Sequence, residues 1–186
     1  QMVEQGRTLD ASISLREQQP RGLARIFTGR LVIKPDNVQL IKDGGYQDCL
    51  ISSRSAMEYG EVTNVDYEYP GSLELAAGQL NSADILKQLD TGLYINNLWY
   101  LNFSDRNACQ MTGMTRFACF WVEKGEIQAP VNVMRFDDSI YNLFGTNLLA
   151  LTKQREMILD PGTYGQRSDH SIELPGVLVS ALRLTL

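Results

Sequence analysis

Two glycine-centred turns set between apolar runs limit what this chain can fold into more than any other feature. Val38, Leu40 and Ile41 precede Asp43-Gly44-Gly45, and Tyr46, Cys49, Leu50 and Ile51 follow it. Glycine reaches positive φ without a Cβ penalty, so the pattern predicts a hairpin turning at these glycines. Glu123-Lys124-Gly125-Glu126 separates the apolar run 117–122 from 127–133 in the same way. On that second arm Ile127, Ala129, Val131 and Val133 alternate with Gln128 and Asn132, as a half-buried strand requires. Two such hairpins commit the chain to antiparallel pairing.

The segments between the hairpins carry helix and strand punctuation. Ser53–Tyr59 reads as a short helix closed by Gly60. Ser82 is placed to cap a second helix over 83–90, with Ile85, Leu86 and Leu89 on one face and Gly92 as its stop. Asp137 or Asp138 is placed to cap a third, running through Ile140, Leu143, Phe144, Leu148 and Leu151, with Gly145 weakening its middle. From 92 to 100, Leu93, Tyr94, Ile95, Leu98 and Trp99 predict a strand that leads into a polar loop over 102–107. A last strand is expected over 177–186, with Leu178, Leu182, Leu184 and Leu186 on one side. That amounts to about seven or eight strands and three short helices, without the regular alternation that βαβ units need. The expected fold is therefore α+β, a mainly antiparallel sandwich or barrel-like sheet domain spanning residues 1–186.

Composition narrows the function more by exclusion than by indication. With 186 residues, 44% of them hydrophobic and 21% charged, the chain is sized and composed for one globular domain. Its net charge of −5 and dispersed lysines and arginines supply no basic stripe, so direct nucleic-acid binding is not expected. No apolar run approaches the roughly 20 residues of a membrane span, and the first residues lack the apolar core of a secretion signal. Cys49, Cys109 and Cys119 are an odd number without CxxC spacing, which suits free thiols in a reducing, cytoplasmic setting. A start at Gln1 instead of methionine reads as a piece of a longer protein.

No complete catalytic constellation emerges. His170 is the single histidine, whereas a zinc hydrolase needs two or three nitrogen or carboxylate ligands converging on the metal, and no HExxH or HExxxH is present. Asp169 precedes His170, but no GxSxG serine accompanies them. Nothing in the sequence marks Cys109 or Cys119 as activated. Asp137-Asp138 reads as capping, not acid–base chemistry. Gly44-Gly45 and Gly60 lack phosphate-loop spacing. Tyr94, Trp99, Tyr100, Phe103, Phe117, Phe120 and Trp121 cluster in the central third, as core or as the wall of a peptide groove.

Phe120-Trp121-Val122-Glu123-Lys124-Gly125-Glu126-Ile127-Gln128-Ala129-Pro130-Val131 closely resembles the FWVExGEIQxPV stretch of PmbA-type (TldE-type) members of the TldD/PmbA family. The segment 38–44 is similar to its LIxDG hairpin, 50–60 to its LxSxxSAxxxG segment, and Thr91-Gly92-Leu93-Tyr94 to its RGLYV-like strand start. Residues 1–37 resemble it less, since Arg25-Ile26-Phe27-Thr28-Gly29-Arg30 stands where the family has an acidic DDEG-like loop, which points to a divergent subgroup.

The resemblance implies the C-terminal half of a bilobed protein whose members pair, homodimer or heterodimer, one partner being a TldD-type subunit that carries zinc on an HExxxH helix and processes peptides. It also implies that a ligand cysteine in a GTCG-like turn is replaced here, since the turn reads Gly162-Thr163-Tyr164-Gly165. The expectation is a non-catalytic PmbA-like subunit with no cofactor of its own, a peptide cleft bordered by Asn102, Asp105, Arg106, Thr112, Arg116, Tyr164 and His170, and only an indirect basis for the family's label as a modulator of DNA gyrase. A peptidase completed by an N-terminal half, or a dimerisation scaffold without a groove, are the rival readings.

Overall fold

Asp43 (φ 48°) and Gly44 (φ 77°) both take the left-handed conformation, joining β2 (Asn37–Lys42) to β3 (Gly45–Tyr46) through a two-residue turn. This is the expected hairpin, except that Asp43 and one glycine supply the positive φ values. A Cβ at Gly44 would stand 2.3 Å from the Leu9 carbonyl oxygen, so glycine is required for space as well. The second arm is short: β3 lasts two residues, and Ile51 donates its N–H to the Asn64 side chain instead of pairing onward.

The computed structural model describes residues 1–185. Within them, β1 (Leu15–Gln18), β4 (Ser72–Leu75), β9 (Leu148–Leu159) and β10 (Ser171–Val179) join the first hairpin in a six-stranded sheet, ordered β3-β2-β1-β4-β10-β9. Every neighbouring pair is antiparallel except β4 with β10, where Ser72, Leu73 and Glu74 lie beside Ser171, Ile172 and Glu173 in parallel. A second sheet is ordered β11-β8-β6-β5, from β5 (Gly92–Asp105), β6 (Gln110–Glu123), β8 (Arg135–Ser139) and β11 (Leu184–Thr185), with β7 (Glu126–Pro130) paired to β6. Both sheets are open, so the α+β class and the dominance of antiparallel pairing hold, in two sheets and not a closed barrel.

Short helices brace the sheets: α1 (Met2–Gln5), α2 (Ser53–Tyr59) and α3 (Ile85–Leu89). The sequence reading of α2 is right at both ends, with Ser52 accepting a hydrogen bond from the Ser55 N–H and Gly60 closing the last turn at φ 74°. For the next helix the cap is Asn81, not Ser82, which instead opens a 3-10 turn (Ser82–Asp84) leading into α3. Asp90 (φ 55°), not Gly92, breaks it.

Four expectations give way to longer-range pairing. The third helix is absent: 135–139 is strand β8, followed by a π-helical turn (Asn142–Thr146) and then β9. β8 is claimed by β6, with pairs running from Gln110 against Ser139 to Met114 against Arg135. Its Phe136 and Asp138 are buried on alternate positions, a period of two. Asp138 is no helix cap: it accepts from the Ser139 and Arg183 N–H groups and the Asn142 amide. Phe144, Leu148 and Leu151 still meet in one core with Ile13 and Leu75, reached from a turn and a strand.

The polar loop expected over 102–107 is mostly strand, because β-bulges let Asn102 pair with Thr112 and Asp105 with Gln110 before the chain turns. β7 is exposed along its whole length, so Ile127 and Ala129 do not form the half-buried face expected of them, and the strand stops at Pro130, which has no N–H to donate. The single last strand is two: β10 ends at Val179, the Ser180 N–H is taken by the Asn147 carbonyl, and β11 resumes in the other sheet with Leu184 beside Phe136. Leu186, assigned to that strand, lies outside the described residues.

Lys124 (φ 53°) and Gly125 (φ 77°) form the second two-residue turn, seated against α3 with the Gly125 N–H 2.8 Å from the Asp90 carbonyl. Such turns favour asparagine at the first position, because its short polar side chain tolerates left-handed backbone. Lys124→Asn is expected to raise stability by about 0.5 kcal/mol, seen as an increase in the thermal midpoint of about 1–2 °C. An unchanged or lowered midpoint would contradict this account of the turn.

Candidate functional site

The seven residues expected to border a cleft fall into two groups. Asn102, Asp105, Arg106, Thr112 and Arg116 share the β5–β6 hairpin. Asn102 faces Thr112 across the pair, and its side-chain oxygen accepts the Phe103 N–H. Asp105 accepts from the Asn107 and Ala108 N–H groups, which shapes the turn that carries Arg106. Thr112 donates to the Phe136 carbonyl at 2.9 Å, tying β6 to β8. Arg116 lies exposed, paired with Asn97.

Tyr164 and His170 sit instead on the connection between β9 and β10. Asp160 accepts the Gly162 N–H at 2.9 Å, the Ser168 N–H reaches the Gly162 carbonyl, and Gly165 takes φ 81°, so the turn is held by its own backbone. The bond from the Gly162 N–H, reinforced by Ser168, holds the Asp160 carboxyl below its usual range. The Tyr164 ring is fully exposed. His170 stacks on Tyr69 with ring centroids 5.4 Å apart and lies 3.9 Å from Asp169, which also pairs with Arg25 at 3.4 Å. Among the described residues no hydrogen bond, ion pair or ring contact joins this group to the hairpin group.

The residues around the Gly162–Gly165 turn do not fit a zinc ion. Asp160 is engaged by the Gly162 N–H and the Ser168 side chain, Tyr164 offers a solvent-exposed phenol, and no group of three His, Cys, Asp or Glu side chains converges among the described residues.

The buried polar residues lie elsewhere and were not anticipated from sequence. On the six-stranded sheet, Glu74 accepts from both Arg16 and Arg155 at 2.8 Å, and Arg155 and Arg21 also reach Glu173 at 3.5 and 2.9 Å. Burial would raise the Glu74 carboxyl, but the two guanidinium partners outweigh it and hold the group below its usual range. Beside it the buried Glu17 accepts from the Gly71 and Ser72 N–H groups and the Gln19 amide, fastening β1 to β4. Neither acid was marked by the sequence, because a charged residue in a strand ordinarily faces water. A separate open depression of about 820 Å³ beside α2 is lined by Arg30, Arg54, Glu58, Tyr59 and Tyr67, and by none of the seven. Glu68 there accepts from the Ser52 and Ser55 hydroxyls that open the helix.

No helix among the described residues is long and apolar enough to cross a membrane. The PmbA/TldA metallopeptidase C-terminal domain, as a family model, matches residues 33–186. Among solved structures the chain is similar to TldE from Thermococcus kodakarensis, at 15% identity and a TM-score of 0.78, covering 96% of this chain and 40% of that one. It is similar to a candidate modulator of a DNA gyrase from Thermotoga maritima, at 19% identity and a TM-score of 0.74, covering 95% of this chain and 40% of the other. A counterpart from Bacteroides thetaiotaomicron gives 14% identity and a TM-score of 0.71, with 96% and 37% covered. At these identities the likeness establishes the fold, and this chain spans about 40% of the length of those proteins. No curated protein matches in sequence.

Proposed function

We propose, for a chain that belongs to the PmbA/TldD metallopeptidase family and carries its C-terminal domain, the role of a non-catalytic, PmbA-like subunit that assists peptide processing by a zinc-bearing TldD-type chain. The observation that carries this reading is the turn Gly162-Thr163-Tyr164-Gly165. A zinc-holding turn needs a thiolate, imidazole or carboxylate donor aimed at the ion; here the position holds a phenol pointing into solvent. Under this reading the chain acts as a binding and assembly module. Extended peptides are recognised by main-chain pairing to a sheet edge plus pockets for alternate side chains. The exposed edges of β5 and β7, with Asn102, Asp105 and Arg116 beside them, offer that chemistry.

The test is reconstitution. Full-length protein is expected to co-purify with a TldD-type chain and to change that chain's peptide hydrolysis, while its own zinc content stays near zero. Stoichiometric zinc with chelator-sensitive hydrolysis by this protein alone would overturn the assignment. Failure both to form a complex and to alter hydrolysis would overturn it equally.

A further inference from the structure

Glu17 is 1% exposed and Gln19 is 4% exposed. An ionised carboxylate at such depth ordinarily spreads its hydrogen bonds over both oxygens and lies beside a cation. Glu17 does neither. Its Oε1 accepts three bonds, from the Gly71 N–H at 3.0 Å, the Ser72 N–H at 2.9 Å and the Gln19 amide at 2.9 Å, while Oε2 has no partner. The side-chain oxygen of Gln19 is likewise buried and unpartnered.

The two oxygens of a carboxylate are equivalent, so three bonds against none marks them as different: a carbonyl that accepts and a hydroxyl that donates. Both stranded atoms belong to the two planar groups that the Gln19 amide bond already joins. A carboxylic acid and a primary amide pair through two bonds in one ring, N–H to carbonyl and O–H to carbonyl. One hydrogen on Glu17 Oε2 supplies the second bond and removes both unsatisfied acceptors. Among the described residues no cation competes for that place. Arg16 alternates to the opposite face of β1 and binds Glu74, while Arg21 binds Glu173 and Arg25 binds Asp169. Across the strand pairs Glu17 meets Val38 on β2 and Leu73 on β4. On the segment leading into β4, Asp66 accepts the Gly29 N–H, Glu68 is held by the Ser52 and Ser55 hydroxyls, and Tyr69 stacks on His170. Arg30, Asp36, Lys42 and Tyr67 are exposed, and Lys34 is half-buried without an ion-pair partner.

We infer that Glu17 is held in the fold as the neutral acid, sharing its proton with Gln19, and that this ring is a pH-sensitive latch on the segment 19–36. The Gln19 N–H reaches the Asp36 carbonyl at 2.9 Å, so the ring closes the base of that loop. Further along, the Leu23 N–H reaches the Ser171 hydroxyl and Arg25 pairs with Asp169, which lays the loop against the connection that carries His170. An acid that is neutral when folded and ionised when unfolded contributes stability that is lost as pH rises. Without the proton, a charge with no cation faces a second bare oxygen, and the loop opens from its base.

Trypsin cutting after Arg21, Arg25 or Arg30 in the full-length protein reads this opening, because cleavage tracks the population of the open form. Glu17→Gln is the informative variant: its amide rebuilds the ring with an N–H in place of the O–H and does not titrate. Wild type and variant are expected to be cut at equal rates at neutral pH, with wild type becoming about tenfold faster as the pH is raised toward about 9. Infrared difference spectra of wild type minus Glu17→Gln should show the carbonyl band of a protonated carboxyl at neutral pH. A variant cut faster than wild type at neutral pH, or a carboxylate band in place of the carbonyl, means an ionised Glu17 and overturns the inference. A cutting ratio that does not change with pH overturns the latch.

Discussion

Gly78→Ala is expected to cost the fold about 3 kcal/mol or more, read as a lowered urea midpoint with an unchanged slope. A Cβ at this position would stand 2.1 Å from the Leu151 carbonyl oxygen and 2.6 Å from its carbon, distances no rotamer change can relieve because the obstacle is backbone. Leu151 is at the centre of the core and is 2% exposed, so it cannot retreat without opening a cavity. The segment carrying Gly78 must lift instead. It would break the bonds from the Gly78 N–H to Thr152 (2.9 Å), from the Leu80 N–H to Leu151 (3.1 Å) and from the Lys153 N–H to Leu80 (2.7 Å). Each contributes about 1 kcal/mol net, and the buried groups left behind add a desolvation cost. Gly145→Ala is the matched control: nothing lies within 4 Å of its Cβ, so its effect should stay within about 0.5 kcal/mol. Equal effects of the two substitutions would show that the close approach at Leu151 does not limit stability.

What could be read from sequence divides along the range of the interactions involved. α2 is right to the residue because its cap, Ser52, and its stop, Gly60, act within the helix itself. The turns at Asp43-Gly44 and Lys124-Gly125 are equally local. The failed helix over 137–151 shows the limit. Spacing of apolar residues reports which side chains are buried, and Phe144, Leu148 and Leu151 are indeed together in the core, yet the same set is reached by a turn and a strand once β6 claims β8. The parallel contact of β4 with β10 joins residues about a hundred positions apart and leaves no local signature. At the candidate site, the Gly162–Gly165 turn was legible as a pattern. The separation of Tyr164 and His170 from the β5–β6 hairpin was not, because it depends on which sheet each strand enters.

Glu74→Ala is expected to destabilise the protein by about 3 kcal/mol at neutral pH, because it strands positive charge in a nearly dry part of the six-stranded sheet. The side chain of Arg155 is 14% exposed, and without Glu74 it keeps only Glu173 at 3.5 Å and the Leu75 carbonyl at 3.4 Å. Arg16 is more exposed and recovers hydration more readily. The folded-state pKa of Glu74 lies below its unfolded value, so the folded protein binds fewer protons through this group. Its stabilisation is therefore fully present above the unfolded value and is lost as pH falls through the folded one. The gap between wild type and Glu74→Ala should accordingly narrow as pH is lowered from about 7 toward about 3. A gap that stays constant over that range would mean that packing, not charge, sets the cost. The triple replacement Arg16→Met, Glu74→Leu and Arg155→Met removes Glu74 together with both of its partners, leaves Glu173 paired with Arg21 at 2.9 Å, and should recover most of the loss, since ion pairing in a dry site roughly offsets its own desolvation. If the triple variant were instead less stable than Glu74→Ala, the network would be a net source of stability and not chiefly a constraint that fixes how β1, β4, β9 and β10 line up.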